Sequence, residues 1–440
     1  MNVRALDDAS TLSRSRPFLP FIVTGVAYLF IMQVGFCVLL LPMALRGRPD
    51  FRHLYTAGYM VRTGHAHELY DDDANREFQS ALAGPIDTTL TFNHLAYEAL
   101  LFAPFSFLSF RHAYAAFFAI NLAMLTACFW MLRPHFSSLA KVWRWLPAAV
   151  FLCFFPITVA LVQGQDSIAL LTLLTAAFVA FERGQNLQGG IFVGLTFFKF
   201  QITLPILLLF LAWRCWRAVA GCAAMAAIAG SLSLWITGLA ATRVYGRSLI
   251  SLGSMLSTPA RQQQYGIHPE AMPNLRGFFY TLASAHHISY IAAQWTTIVC
   301  SLVLFYFAVR SRPSFVLAVI VAVLVSYHGL IHDLAVLALP IGWISANCVD
   351  ATWKSAKWTV GVATMIFALP TALMQAGGAY WLLALPVVAL FIATSSRRGT
   401  ELQFRGTLLG ESLVTKMSEW TEGLCTMSNS FRIRRNCPGN

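Results

Sequence analysis

Charge is what this chain has least of. Only 11% of its 440 residues are Asp, Glu, Lys or Arg, against 57% hydrophobic, and mean hydropathy is +0.62. Soluble domains carry charge on about a quarter of their residues, so the deficit excludes that class and leaves an integral membrane protein. Acids are scarcer than bases, 19 against 31, for a net charge of +12. In such a chain a positive excess marks cytoplasmic loops and lipid headgroups. No nucleic-acid-binding module is recognisable. The nine cysteines contain no CxxC pair and none falls within 46–98, which excludes a disulfide framework and a thiolate metal site. They read as small buried hydrophobes. Internal repeats and low-complexity runs are also lacking.

The acids that are present are concentrated in one stretch. Eight acids fall between Arg46 and Glu98: Asp50, Glu68, Asp71, Asp72, Asp73, Glu77, Asp87 and Glu98. The first apolar segment, 18–45, is longer than a signal-peptide core and has no small-residue cleavage pattern after it, so it is expected to stay as an anchor. A basic lead, Arg4, Arg14 and Arg16, keeps residues 1–17 cytoplasmic and delivers Asp50 to the outer face. In that first outer loop, Leu54, Ala57, Gly58 and Val61 recur at helical spacing and predict an amphipathic helix on the membrane surface. A polar turn begins at Asp71, and Gly84–Pro85 ends the helix after it.

Apolar stretches follow at about 95–110, 112–132, 145–163, 165–182, 187–213 and 218–239, then 288–309, 314–332, 334–349, 357–376 and 379–396. The fold class is all-α polytopic, with about 11–12 spans in a single membrane domain, 1–396. Residues 240–286 form a second outer loop, and 397–440 a basic cytoplasmic tail. The positive-inside bias favours a short, Pro104-broken half-span at 95–110 and two short legs in 187–213, hinged near Lys199 and Pro205.

Ionisable residues inside apolar segments are costly, so each is a functional candidate. Asp50 sits at the mouth of a membrane helix, where a partly desolvated carboxylate suits general-base work. The bland alternative is a helix-end charge paired with Arg48 or Arg52. Lys199 would meet a lipid phosphate as a point charge, or simply snorkel. His328 and His332, four apart, would share one helix face beside Asp333 and hold a diphosphate, a hydroxyl or a metal, or form a hydrogen-bonded core pair. Gln165 and Asp166, in QGQD, would bond sugar hydroxyls, or form a polar turn with a helix N-cap. His94, with Asn93 and Glu98, closes the first loop facing Asp50. Arg276, in the second outer loop, would clamp phosphate bidentately, unless it is an ordinary surface arginine.

DFRHLYTAGYMVRTGHAHELYD resembles the opening of glycosyltransferase family 87, in which an Asp follows the first span. FNHLAYEALLFAPFSFL, GQDSIALLTLL, GGIFVGLTFFKFQITLPILLL, PNLRGF and SYHGLIHDLAVLALP are similar to that family's later blocks, in the same order. Where the family often has Pro-Pro, this chain has Leu95–Ala96. The resemblance implies a GT-C-type fold in a bacterial inner membrane. It implies an inverting enzyme that moves a hexose, mannose above all, from a polyprenyl-phosphate donor to a lipid or glycan acceptor at the outer face. Asp50 matches the family's catalytic Asp. Lys199, His328, His332 and Asp333 match polar positions near the donor. No metal or other cofactor is implied. Two other classes compete: a transporter or lipid flippase for an envelope-glycan precursor, and a non-catalytic scaffold. The absence of paired broken segments and of internal symmetry counts against the transporter, and only the basic tail speaks for a scaffold.

Overall fold

In a computed structural model the chain is described over residues 18–47, 50–85, 90–253, 268–349 and 354–395. The expected tail at 397–440, Arg48, and the RQQQYGI stretch lie outside these residues. Among the described residues the secondary structure is entirely helical. Helix α1 is Leu19–Leu45, α2 is Phe51–Arg62, α3 is Asp72–Ala83 and α4 is Ala96–Phe102. Next come α5 (Phe110–Leu132), α6 (Ser137–Val142), α7 (Leu146–Leu152), α8 (Phe155–Gln163) and α9 (Ser167–Glu182). Then follow α10 (Asn186–Leu195), α11 (Phe200–Ala212), α12 (Trp216–Gly253) and α13 (Leu275–Ala285). The last five are α14 (Tyr290–Arg310), α15 (Phe315–Val325), α16 (Ala338–Cys348), α17 (Lys354–Gln375) and α18 (Ala384–Ser395).

Among the described residues, seven of the helical stretches are long and apolar enough to cross a membrane, α7 with α8 forms an eighth bent by 45°, and three shorter apolar helices accompany them. The chain is a multi-pass membrane protein. Its layering follows from composition. α15 is apolar all round and buried at ten of its eleven positions, and the 331–344 stretch that follows is equally enclosed. A helix without a polar face belongs in the middle. α1 and α14 expose Phe21, Ile31, Leu39, Trp295 and Leu302, as faces turned to lipid must.

Glycine sets two of the closest packings. A Cβ on Gly190 would run into the backbone of Ala218, and one on Gly221 into that of Leu187, so the small residues let α10 and α12 meet backbone to backbone. Gly58 on α2 does the same against Phe102 of α4. That contact changes the reading of α2. The helix predicted from Leu54, Ala57, Gly58 and Val61 is present, but it is packed inside the protein, with Phe51 through Gly58 and Met60 all buried. Phe51 anchors it, fully buried in a cage of Tyr55, Phe102, Phe105, Phe110, Tyr114 and Phe117.

The 95–110 region is a seven-residue helix, α4, followed by a 3-10 turn at Ala103–Phe107. At 1.5 Å per residue such a helix reaches only about 10 Å, too short to cross. The two legs expected near Lys199 do not fold back on each other. Residues 186–212 run as one apolar stretch of 27 residues, interrupted by a 3-10 turn at Thr196–Lys199, while Pro205 sits inside α11. Nor does a loop begin at 240: α12 runs on to Gly253 past a break at Gly238, and α13 already occupies 275–285. The expected polar turn at Asp71 is present, with its carboxylate accepting from the Asp73 and Ala74 amides to cap α3. Asp71 to Asp73 spell Asp-x-Asp, but the first of them serves as a helix cap.

Candidate active site

The polar residues of the interior converge on one turn. α8 ends at Gln163. Gly164 takes a left-handed φ of 62°, and the Gln165 amide reaches back 2.9 Å to the Ala160 carbonyl. This glycine-centred helix stop sends the four side chains around Gly164 to four different partners. Gln163 Oε1 lies 2.9 Å from His332 Nδ1. Gln165 Nε2 donates to Asp50 Oδ2 at 2.7 Å. Asp166 Oδ1 is 3.0 Å from Lys199 Nζ, and Ser167 Oγ donates to Asp333 Oδ1 at 2.9 Å.

Asp50 is half-buried at the head of α2, just ahead of the caged Phe51. The pairing with Arg52 offered by the sequence is not made, because Arg52 donates to the Ala83 carbonyl at 2.8 Å. Lys199, at the 3-10 break, is nearly enclosed and doubly paired, with Asp166 and, at 3.3 Å, with Asp333. An ammonium held between two carboxylates is already compensated, so Lys199 is a poor free phosphate ligand in this arrangement.

His94 and Glu98, one helical turn apart, approach to 2.7 Å, and His94 lies 3.6 Å from Asp166. Burial pushes the Glu98 carboxyl up to about 7, the neighbouring His94 pulling against that rise. Burial opposes a charge on His94 as well, but the Glu98 carboxylate outweighs it and the imidazole ends above its ordinary value. His53, its ring 5.4 Å from that of His94, is held down at about 3 by burial and by His94 itself, and stays neutral. One ligand atom each from His94, Glu98 and Asp166 falls within 4.8 Å, a set able to hold a metal ion. In this arrangement the Lys199 ammonium already compensates Asp166.

The pairing of His328 with His332 on one helix face does not form. The helix stops at Val325 because α13 captures the carbonyls that would continue it. Asn274 Nδ2 donates to the Ser326 carbonyl at 2.9 Å, and Arg276 Nη1 to the Tyr327 carbonyl at 2.6 Å. His328 therefore sits at a bend in the connection between helices, and His332 in a 3-10 turn beginning at Ile331, where Asp333 Oδ2 accepts from the Leu330 amide. Arg276 is no surface arginine. It is 4% exposed, and its Nε and Nη2 have no hydrogen-bond partner among the described residues. It borders a cavity of about 440 Å³ between α11, α14 and α15, walled mainly by apolar side chains such as Leu208, Leu302 and Phe305. A buried guanidinium with two open donors beside an apolar groove suits an anionic headgroup on a long apolar tail.

Every candidate residue is thus placed. Asp50, His94, Gln165, Asp166, Lys199, His332 and Asp333 form one connected network, and Arg276 and His328 adjoin it through the Tyr327 segment. Sequence reasoning named Glu98 only as closing the first loop, although its i, i+4 spacing from His94 was the available signal. It gave no role to Gly164, Ser167 or His53, which meet Phe51, Asp333 and His94 only across the fold.

Residues 97–340, more than half of the chain, match glycosyltransferase family 87. The chain belongs to that family. No curated protein and no solved structure matches it. The matched span contains the QGQDS turn, Lys199, Arg276 and the His328–Asp333 segment, so the buried network of this family 87 glycosyltransferase lies largely within it. Asp50 and His94 precede the span and join it through Gln165 and Asp166.

Proposed function

We propose that this membrane glycosyltransferase moves a hexose, with mannose the foremost candidate, from a polyprenyl-phosphate donor to a lipid or glycan acceptor, with inversion. Asp50 is the general base. The acceptor hydroxyl attacks the anomeric carbon as its proton passes to the Asp50 carboxylate. The bond from the anomeric carbon to the phosphate oxygen breaks on the opposite side, and polyprenyl phosphate leaves. Arg276, with two unused donors, is better suited than the doubly paired Lys199 to receive the developing phosphate charge. The apolar groove beside it suits the isoprenoid tail. His328, His332 and Asp333 then border the donor headgroup, and His94 and Asp166 lie nearer the acceptor. The reaction takes place at the outer face of the membrane, the side to which the basic leading segment assigns Asp50.

The observation that carries this reading is the Asp50 carboxylate, half-buried and joined by a hydrogen bond to the buried turn of a family 87 glycosyltransferase. The test is an assay of the purified chain against a panel of sugars on polyprenyl phosphate, read as release of polyprenyl phosphate. Release dependent on both donor and acceptor supports the proposal. Donor counterflow into vesicles without any transfer overturns it in favour of transport.

A further inference from the structure

The hydrogen bond between Gln165 and Asp50 has both of its ends fastened to the same object. At one end Asp50 precedes Phe51, which is fully buried in its aromatic cage. At the other, Gln165 follows Gly164, where an added Cβ would lie 2.7 Å from Phe51 Cβ and 3.3 Å from the Tyr114 ring. The glycine turn therefore rests directly on the cage. Tyr114 closes the arrangement by donating from its hydroxyl to the Val162 carbonyl at 2.7 Å, tying the cage to the end of α8. Gln165 is itself 5% exposed, and its backbone is held by the bond to Ala160. Gln165 is thus engaged at its backbone with Ala160 and at its side-chain amide with Asp50.

We propose that Gln165 is a positioning residue for Asp50 and not a sugar ligand. Its amide fixes Asp50 Oδ2 and leaves Oδ1 to take the proton of the acceptor hydroxyl. The chemistry favours an amide in this role. A lysine or arginine in the same place would hold the carboxylate equally well but would stabilise its charged form and weaken it as a base. An uncharged N–H donor orients with far less of that effect. The proposal rests on the assignment of Asp50 as general base.

The test uses the full chain in lipid nanodiscs with a mannosyl phosphopolyprenol as donor and native membrane lipids as acceptor. Gln165→Met keeps size and removes the donor. It is expected to lower kcat about a hundredfold, as misplacement by an ångström does, with KM for donor and acceptor unchanged. Gln165→Glu sets a second carboxylate against Asp50, and like charges sharing a site cannot both ionise easily. The acid limb of the rate profile is then expected to move up by about one pH unit or more. A raised KM at constant kcat in Gln165→Met, or an acid limb unmoved in Gln165→Glu, overturns the positioning role. Asp50→Asn, run alongside, separates the two readings, since full activity in that variant defeats the base assignment itself. An infrared band for the Asp50 carboxylate, identified from the Asp50→Asn difference spectrum, serves even without transfer. Its shift in Gln165→Met supports the proposal, and an unmoved band overturns it.

Discussion

Lys199 Nζ lies 3.0 Å from Asp166 Oδ1 in the interior of the bundle, with Asp333 on its other side at 3.3 Å. The cation in the apolar GLTFFKFQITLP run is therefore a strut between two segments. It joins the turn after α8 to the one before α16. Removing one member of a buried ion pair strands the other charges, at a cost of about 3–5 kcal/mol. Lys199→Met is expected to lower the thermal stability of the detergent-solubilised protein sharply, and the double variant with Asp166→Asn to recover part of the loss. A Lys199→Met protein as stable as wild type but unable to bind donor would instead make Lys199 a phosphate ligand.

Arg276 makes the opposite prediction. Nη1 donates to the Tyr327 carbonyl, and Nε and Nη2 are buried without a hydrogen-bond partner among the described residues, in a side chain that borders the groove. Lysine keeps the charge but loses the planar fork. Arg276→Lys is therefore expected to raise KM for a polyprenyl-phosphate donor about tenfold or more, equivalent to roughly 1.4 kcal/mol, while the Tyr327 contact can still form. Unchanged donor kinetics in a folded Arg276→Lys protein would remove Arg276 from the phosphate site.

The Glu98–His94 pair predicts a dependence on pH. Burial raises the folded carboxyl of Glu98 from 4.5 to about 7, so the folded state holds that proton more tightly than the unfolded chain. Its stabilising share is complete below 4.5 and is lost as pH rises toward about 7. His94, also raised, contributes in the same direction, fully below 6.5 and less as pH climbs through its folded value. The difference in melting temperature between wild type and Glu98→Gln should therefore move against wild type between pH 5 and pH 8. A difference independent of pH would contradict the assignment.

The close approach of α2 to α4 is equally open to test. Gly58→Ala places a methyl group against the Phe102 backbone, which cannot yield as a flexible side chain would. Expression or thermal stability should fall, by about 1–3 kcal/mol where stability is measurable. Gly25 faces open space, so Gly25→Ala serves as the neutral control.

How much of this was legible beforehand depends on the range of the interactions. The apolar runs of α1, α5 and α14 speak for themselves, because a stretch that must satisfy its own backbone in lipid is helical wherever it sits. Asp50, Lys199 and Asp333 were conspicuous because charge within apolar sequence is costly. Their pairing was not, since Asp166 and Lys199 are joined only by the fold. The histidines at 328 and 332 had correct helical spacing, yet Asn274 and Arg276, more than fifty residues earlier, take the carbonyls that would have continued the helix. α2 carried the pattern of a surface helix, and nothing local to Gly58 announces the backbone of Phe102 lying on it. The QGQDS turn was noticed for its polarity. Its part as the hub of the network rests on partners at positions 50, 199, 332 and 333.

The most direct measurement is single-turnover transfer by Asp50→Asn, a substitution that keeps the side chain's size and its place beside Gln165 while removing the proton acceptor. With a polyprenyl-phosphate sugar bound as tightly as in wild type, the account predicts that release of polyprenyl phosphate falls by about a hundredfold or more, the usual contribution of a positioned base. Transfer at the wild-type rate by a folded Asp50→Asn protein would contradict it.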